Sequence, residues 1–156
     1  YGVWLAVHSL TMLLGYTGLF LTFVAAVMYL VQSGELKSKR PKTLYFYLPP
    51  LEVCDRLYDQ SLVFGLICLT TGIVTGFLWA SRDWSGLWEV DPKILASVFT
   101  WLIYVVLGST RMRGSWGGRR SAYVAIFGFA AMMVTFLGVS FLSSQHGYFP
   151  LISRTR

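Results

Sequence analysis

Apolar positions in this chain are grouped into four long runs that contain no charged residue. The runs cover residues 1–34, 60–81, 94–110 and 121–153. A stretch of roughly 17–25 uncharged, apolar residues is long enough to cross the hydrocarbon core of a bilayer as a helix. A soluble helix of this length would carry a polar face, which these runs lack. The pattern therefore predicts an all-α membrane protein with four transmembrane helices.

Charged and turn-forming residues between the runs set the expected helix bounds. We predict helices over about Val3–Val31, Ser61–Trp79, Pro92–Ser109 and Ala122–Leu142. Residues 1–156 are interpreted as a single transmembrane domain. The chain starts apolar at Tyr1, without the basic segment and cleavage site of a signal peptide. We therefore expect a fragment that lacks N-terminal helices.

The distribution of charged residues predicts how the helices are oriented in the membrane. The chain is 55% hydrophobic, 13% charged and +6 in formal net charge, whereas soluble domains carry about 25% charged residues. Basic residues cluster in the connections before helix two and after helix three, at Lys37, Lys39, Arg40, Lys42, Arg111, Arg113, Arg119 and Arg120. Because basic loops stay on the cytoplasmic side, both connections are predicted to face the cytoplasm or stroma. The net charge is thus a signal of topology and of anionic lipid, and a nucleic-acid role is not expected.

The connection before helix two has a pattern of its own. Pro50 suits the first turn of a helix, and apolar residues then recur at helical spacing, at Leu51, Cys54, Leu57, Tyr58 and Leu62. Charged residues fill the other face, which predicts a short amphipathic helix on the inner membrane surface. A plain linker is the alternative. Within the spans, Gly72 and Gly76 in helix two, and Gly128 and Gly138 in helix four, predict close helix approach.

The connection between helices two and three is rich in tryptophan. Trp79, Trp84 and Trp88 fall within ten residues, and Asp91 and Pro92 follow. Asp91 suits the N-cap of helix three and Pro92 its first turn. The segment is therefore predicted to be a loop held between two helices, on the outer side. An interfacial aromatic belt is the simpler interpretation of its tryptophans.

His8 and His146 are the two histidines of the chain, and the predicted topology places both on the side of the tryptophan loop. A hydrogen bond to a neighbouring helix would account for His8, and interfacial exposure for His146. Two neutral imidazoles are also able to bind the two axial faces of a haem iron. Tryptophan rings would stack on the macrocycle, and Arg82 and Lys93 would pair with its propionates. Zinc is the weaker alternative, because a carboxylate from Asp83, Glu89 or Asp91 would have to complete the site.

The segment W-A-x-x-x-W-x-x-x-W-x-x-D-P-K, Trp79 to Lys93, resembles the tryptophan-rich WWD signature of the haem-handling cytochrome c assembly proteins. The CcsA/ResC branch of that family is the most similar. Helix one resembles that family's histidine-bearing helix before the signature, and the tail SSQHGY occupies the place of its second external histidine. The resemblance covers nearly the whole chain but only the C-terminal part of a full family member.

The resemblance implies a role and a set of site residues. His8 and His146 would be the paired axial ligands of an external haem b, carried non-covalently as cargo. Trp79, Trp84, Trp88 and Asp91 would form the haem platform. The family attaches haem to the Cys-X-X-Cys-His motif of apocytochrome c outside the membrane, as part of a synthase with a CcsB/ResB-type membrane partner. A bacterial inner membrane or a thylakoid would be the location.

Two positions depart from the family pattern. Val90 stands where the family commonly has tryptophan, and Ile94 where it commonly has glutamate. These departures leave open a non-enzymatic haem sensor or structural paralogue. A haem transporter subunit is the third alternative, and its polar path would have to use Thr70, Thr71, Thr75, Ser97, Thr100 and Thr135. Threonines within helices commonly bond to their own backbone, which weakens that alternative.

Overall fold

The computed structural model describes residues 2–38, 46–83, 92–114 and 118–146, with the backbone alone at 79–80, 82–83, 92–93, 135–136 and 139–146. Four α-helices fill these ranges: α1 (Gly2–Lys37), α2 (Leu51–Asp83), α3 (Pro92–Met112) and α4 (Arg119–His146). No β-strand occurs in the ranges described. The all-α prediction is confirmed, and each predicted span falls inside one helix.

Length and composition allow three stretches to cross a membrane, at Gly2–Lys37, Leu51–Leu78 and Ile94–Met112. The fourth predicted span lies in α4, which is described with side chains only in part, so it stays a prediction. The exterior is apolar: Leu13, Ile67, Phe127 and Val134 are each more than half exposed. Large apolar side chains on the outside of a helical bundle suit hydrocarbon surroundings rather than water.

α1 and α2 lie antiparallel, and glycines let their backbones touch. A Cβ placed on Gly18 would lie 2.6 Å from the Cα of Gly65, and one on Gly15 would lie 2.9 Å from the backbone nitrogen of Leu69. Small residues at the contact are a usual means of helix association in membranes. Alanine at Gly18 would therefore push the two helices apart.

The same glycine-lined contact continues toward the C-terminal end of α2. Gly72 lies against Met12, and Gly76 lies against His8, so the predicted close approach at both glycines is confirmed. In α4, the Cβ position of Gly128 is 3.1 Å from the side chain of Ile103 in α3. Gly138 has no described atom within 4 Å of its Cβ position, so close approach at that glycine stays a prediction.

Aromatic and hydroxyl contacts close the bundle into a ring of four helices. Phe23 of α1 stacks on Phe129 of α4 at a centroid distance of 4.6 Å. The Tyr104 hydroxyl of α3 donates to the Ala125 carbonyl of α4, at 3.3 Å. Between α3 and α2, the Cβ position of Gly108 lies 3.1 Å from the Leu66 side chain. Each helix therefore contacts the two beside it in the ring.

The predicted amphipathic segment is not a separate helix on the membrane surface. α2 is continuous from Leu51 to Asp83, and the Pro50 carbonyl accepts the first backbone hydrogen bonds, from Val53 and Cys54. Most of the apolar face of the segment is buried, with Tyr58 and Leu62 each 2% exposed, whereas Leu57 is 46% exposed. The amphipathic pattern is genuine, but its apolar face packs against the other helices, so the segment forms the first turns of α2.

Candidate functional site

The antiparallel arrangement gathers particular helix ends at each end of the bundle. Pairing of Gly15 with Leu69 and of Gly18 with Gly65 sets α1 against α2. α4 runs opposite to α1, because Phe23 meets Phe129 and the Tyr29 hydroxyl meets Gly118. The N termini of α1 and α3 and the C termini of α2 and α4 therefore lie together. We call this region the histidine end, defined by His8, Gly72 and Gly76.

Five of the eight predicted site residues lie in helices at the histidine end. His8 is in the second turn of α1, Trp79 and Arg82 are in the last turns of α2, Lys93 is the second residue of α3, and His146 is the last residue of α4. The side chain is described only for His8 among these five. The remaining three predictions lie outside the described residues, at Trp84, Trp88 and Asp91.

Two of these placements correct the expected element. Arg82 was expected in a loop beyond the end of helix two at Trp79, but α2 continues to Asp83. His146 was expected in a tail beyond Leu142, but α4 continues through His146. The end of an apolar run marks the edge of the hydrocarbon, whereas backbone hydrogen bonding continues for further turns in water. Pro92 begins α3 as predicted.

His8 makes one interhelical hydrogen bond. Its Nδ1 lies 2.8 Å from the Gly72 carbonyl oxygen of α2, a pair separated by 64 positions in the sequence. A carbonyl oxygen only accepts, so Nδ1 carries the proton in this contact. The neutral imidazole then has its lone pair on Nε2, and no described residue forms a hydrogen bond to Nε2. His8 is thus held in the tautomer whose Nε2 is available to a ligand.

The imidazole of His8 occupies space that a side chain at Gly76 would take. A Cβ placed on Gly76 would lie 2.7 Å from Cε1, 3.0 Å from Nδ1 and 3.6 Å from Nε2 of His8. The ring is half-buried, so it packs directly against the backbone of α2. The simple interpretation of His8, a hydrogen bond to a neighbouring helix, is confirmed, and it leaves Nε2 unused.

Three threonines of α2 donate hydrogen bonds to the backbone of their own helix. Thr70 donates to the Leu66 carbonyl at 2.7 Å, Thr71 to the Ile67 carbonyl at 2.9 Å, and Thr75 to the Thr71 carbonyl at 2.9 Å. The prediction that these threonines bond to their own helix is confirmed. They therefore provide poor support for a polar transport path.

A charged cluster at the opposite end of the bundle was not anticipated. We call it the arginine end, defined by Arg111, Asp55, Asp59, Tyr58 and Ser121. Arg111 of α3 pairs with both aspartates of α2, at 2.6 Å from Asp55. It also donates to the Ser121 hydroxyl of α4 at 2.8 Å and lies 4.3 Å from the Tyr58 ring centroid. Sequence reasoning took Arg111 as a topology charge, although two aspartates four residues apart on one helix face were a signal for such a pair.

A metal centre built from several side chains is not found in the described part of the chain. Within those ranges, no group of three or more His, Cys, Asp or Glu side chains comes together. The carboxylates that would complete a zinc site, on Asp83, Glu89 and Asp91, have no described side chain. The zinc alternative thus gains no support from the geometry.

The helical ring with an apolar exterior and a histidine at one end defines an all-α integral membrane protein. The family model described as "Cytochrome C assembly protein" matches residues 2–146. The chain belongs to this family, and the resemblance stated from its motifs is confirmed. No solved structure matches it.

The curated relatives are named as cytochrome c biogenesis proteins. The chain is 34% identical over 161 residues to "Cytochrome c biogenesis protein CcsA" of Guillardia theta, covering 93% of this chain and 54% of that protein. It is 31% identical over 165 residues to the protein of that name from Prochlorococcus marinus (strain MIT 9312), covering 93% and 53%. For the Chlorella vulgaris protein the values are 30% over 174 residues, 93% and 55%. The chain thus spans about half the length of the curated relatives it matches.

Proposed function

We propose that this chain acts in cytochrome c maturation by holding haem at the histidine end and presenting it to apocytochrome c. The observation that carries the proposal is the His8 hydrogen bond to Gly72, at 2.8 Å, which leaves the Nε2 lone pair for an axial bond to iron. A ligating histidine commonly donates its other ring nitrogen to a backbone carbonyl or a carboxylate. His8 therefore already has the arrangement that a haem ligand requires.

The other predicted site residues have supporting roles in this proposal. His146, the last residue of α4, would supply the second axial imidazole. Trp79, Trp84, Trp88 and Asp91 would line the macrocycle, and Arg82 and Lys93 would pair with the propionates. Antiparallel packing supports this grouping, since α1, α2, α3 and α4 each bring a candidate to the same end. The cargo would be haem b, bound without a covalent link.

The chemistry of attachment is assigned largely to haem and to the cysteines of apocytochrome c. Haem would supply the vinyl groups, and each cysteine S–H would add across one vinyl double bond, forming a C–S bond on one carbon and a C–H bond on the other. The contribution of this chain would be to position haem against the thiols. Positioning lowers the activation barrier, because the translational and rotational entropy is lost on binding, before the reaction. The histidine of apocytochrome c would replace one axial ligand, so that its two thiols approach the vinyls. The chain would act as a component of a haem lyase, with a CcsB/ResB-type partner.

Charge supports a proposed membrane side. Lys37 is the last residue of α1, Arg119 and Arg120 begin α4, and Arg113 directly follows α3, all at the end of the bundle opposite to His8. The positive-inside rule supports a cytoplasmic or stromal location for these residues, and an external location for the histidine end. The membrane would be a bacterial inner membrane or a thylakoid. Labelling of single cysteines introduced at Ser81 and Arg113, with a reagent that cannot cross the membrane, tests this: only the former should react from outside.

Absorption and electron paramagnetic resonance spectra of the bound haem test the ligand assignment. The protein is produced in a haem-replete host and purified in detergent, unchanged or as His8→Ala or His146→Ala. We expect each variant to lose the low-spin spectrum of two axial imidazoles, and added imidazole to restore it. Unchanged ligation in both variants would overturn the proposal.

A non-enzymatic haem sensor or structural paralogue is the second candidate, and Ile94 favours it. Its side chain is 47% exposed in the first turn of α3, at the histidine end, where the family commonly places a glutamate. Complementation of a strain that lacks its cytochrome c synthase separates the candidates. Restored holocytochrome c supports attachment, whereas haem binding without restoration supports the sensor.

A further inference from the structure

We infer that Gly72 and Gly76 are positioning residues for His8. The Gly72 carbonyl oxygen accepts a hydrogen bond from Nδ1–H of His8, and the absence of a side chain at Gly76 leaves space for the imidazole ring. This inference rests on the proposed haem-ligand role of His8. Together the two glycines would set the tautomer and the direction of the imidazole, and thereby the strength of its bond to iron. Neither glycine would touch haem.

The hydrogen bond has an electronic consequence. An imidazole that donates Nδ1–H to a carbonyl becomes a more basic ligand at Nε2, and loss of such a supporting contact typically weakens metal binding by about 10–100-fold. The acceptor is the backbone oxygen of Gly72, at 2.8 Å. No side-chain substitution removes that oxygen, so the contact has to be broken by moving the ring.

Gly76 provides the means of moving the ring. Its Cβ position is 2.7 Å from Cε1 and 3.0 Å from Nδ1 of His8, and real Cβ atoms are not found so close to a ring atom. The imidazole is the end of a rotatable side chain, so it would swing away before the helices separate. Gly76→Ala is therefore expected to break the hydrogen bond with little loss of stability.

The other glycines of the α1–α2 contact have neighbours other than His8. Substitutions at those glycines therefore test helix packing without displacing the imidazole. Gly18 meets the backbone of Gly65, a contact that only brings the helices together. A Cβ on Gly72 would lie 2.6 Å from Sδ and 3.3 Å from the backbone nitrogen of Met12, and the Gly72 carbonyl would remain. Gly76 is thus the glycine of this contact whose space is filled by the proposed ligand.

The experiment compares four variants of the whole protein, loaded with haem and purified in detergent: Gly76→Ala, Gly72→Ala, Gly34→Ala and His8→Ala. Gly34 is the matched control, since it is also helical and no atom of the described residues lies within 4 Å of its Cβ position. Readouts are the axial-ligand spectrum, the haem midpoint potential, haem retention and the thermal unfolding midpoint.

We expect Gly76→Ala to shift the spectrum and the potential in the same direction as His8→Ala, and to lower haem retention about tenfold. Its unfolding midpoint should match that of Gly34→Ala. Gly72→Ala should lower the midpoint and keep the axial ligation.

Each contrary outcome identifies what has failed. If His8→Ala keeps the axial ligation, the proposed ligand role of His8 fails, and the inference fails with it. If His8→Ala loses the ligation while Gly76→Ala keeps the parent spectrum and potential, only the inference is overturned. Failure of Gly76→Ala to accumulate, while Gly34→Ala accumulates, also overturns it, because the ring is expected to yield before the helices do.

Discussion

The two ends of the bundle use polar groups in opposite ways. At the arginine end, Arg111 donates to Asp55, Asp59 and Ser121, covers the ring of Tyr58, and keeps 10% of its side chain exposed. At the histidine end, His8 makes one interhelical hydrogen bond and has a ring nitrogen left over. At the arginine end the charged side chains pair with one another, whereas at the histidine end no described residue forms a hydrogen bond to Nε2 of His8.

This difference distinguishes a structural cluster from the proposed ligand site. A guanidinium has five donors and no acceptor, so once its partners are carboxylates and a hydroxyl it offers little to a further ligand. The Arg111 contacts tie α3 to α2 and α4. A neutral imidazole has one donor and one lone pair, so a single hydrogen bond to Gly72 orients it and leaves the lone pair free. We therefore expect substitutions at the arginine end to change stability, and substitutions at the histidine end to change haem ligation.

The largest effect is expected from Gly18→Ala, because it separates α1 from α2 and would disturb both ends together. Its Cβ would lie 2.6 Å from Gly65 Cα, and two backbones yield less readily than a side chain. We expect a loss of about 3 kcal/mol in the free energy of unfolding, at the upper end for overpacked contacts. Thermal unfolding in detergent beside Gly34→Ala provides the measurement. Equal midpoints would show that the backbones are not in contact.

Arg111→Ala should affect stability alone. Breaking a fully buried ion pair costs about 3–5 kcal/mol. The Asp55 and Asp59 side chains are 46% and 53% exposed, so we expect about 2 kcal/mol once solvent screening is included. The exposed residue Arg113 supplies the control, Arg113→Ala, which should change the midpoint little. A changed haem spectrum in Arg111→Ala would contradict the division between the two ends.

The smallest effect is expected from Ser61→Ala, in the contact between the two ends. The Ser61 and Thr22 hydroxyls are 3.0 Å apart and join α2 to α1. Interhelical hydrogen bonds of this kind average about 0.6 kcal/mol. The control is Ser109→Ala, since Ser109 bonds only to the Val106 carbonyl of its own helix. A loss above about 2 kcal/mol would exceed the usual maximum for such bonds and would assign this contact a larger role.

Sequence patterns predicted the helices well, because membrane insertion is decided locally. An uncharged run of sufficient length has to satisfy its backbone internally, and a helix does so without partners. The four runs therefore became α1 to α4 with the expected centres. Helix ends were predicted less well: Arg82 and His146 are helical, and residues 51–60 belong to α2. Charge marks where lipid ends, and the helices continue past that point.

The grouping of the candidate site residues at one end of the bundle was also predicted, because it depends on helix order and direction. Motif and topology brought His8, Trp79, Arg82, Lys93 and His146 to one end, as the helix directions require. The ligand roles of these residues stay predictions. Gly72 and Gly76 were expected only to permit packing, since nothing in their spacing indicates that their neighbour is a histidine.

The sequence by itself determined that the chain is helical and suited to a membrane, and which residues are candidates for binding iron. The tertiary structure alone decided which nitrogen of His8 is free and which partners Arg111 takes. Both depend on a partner residue that is distant in sequence, 64 positions from His8 and 56 positions from Arg111. The register between helices brings these partners close. Hydrophobic periodicity is a property of one helix, whereas that register is set by glycine contacts between two.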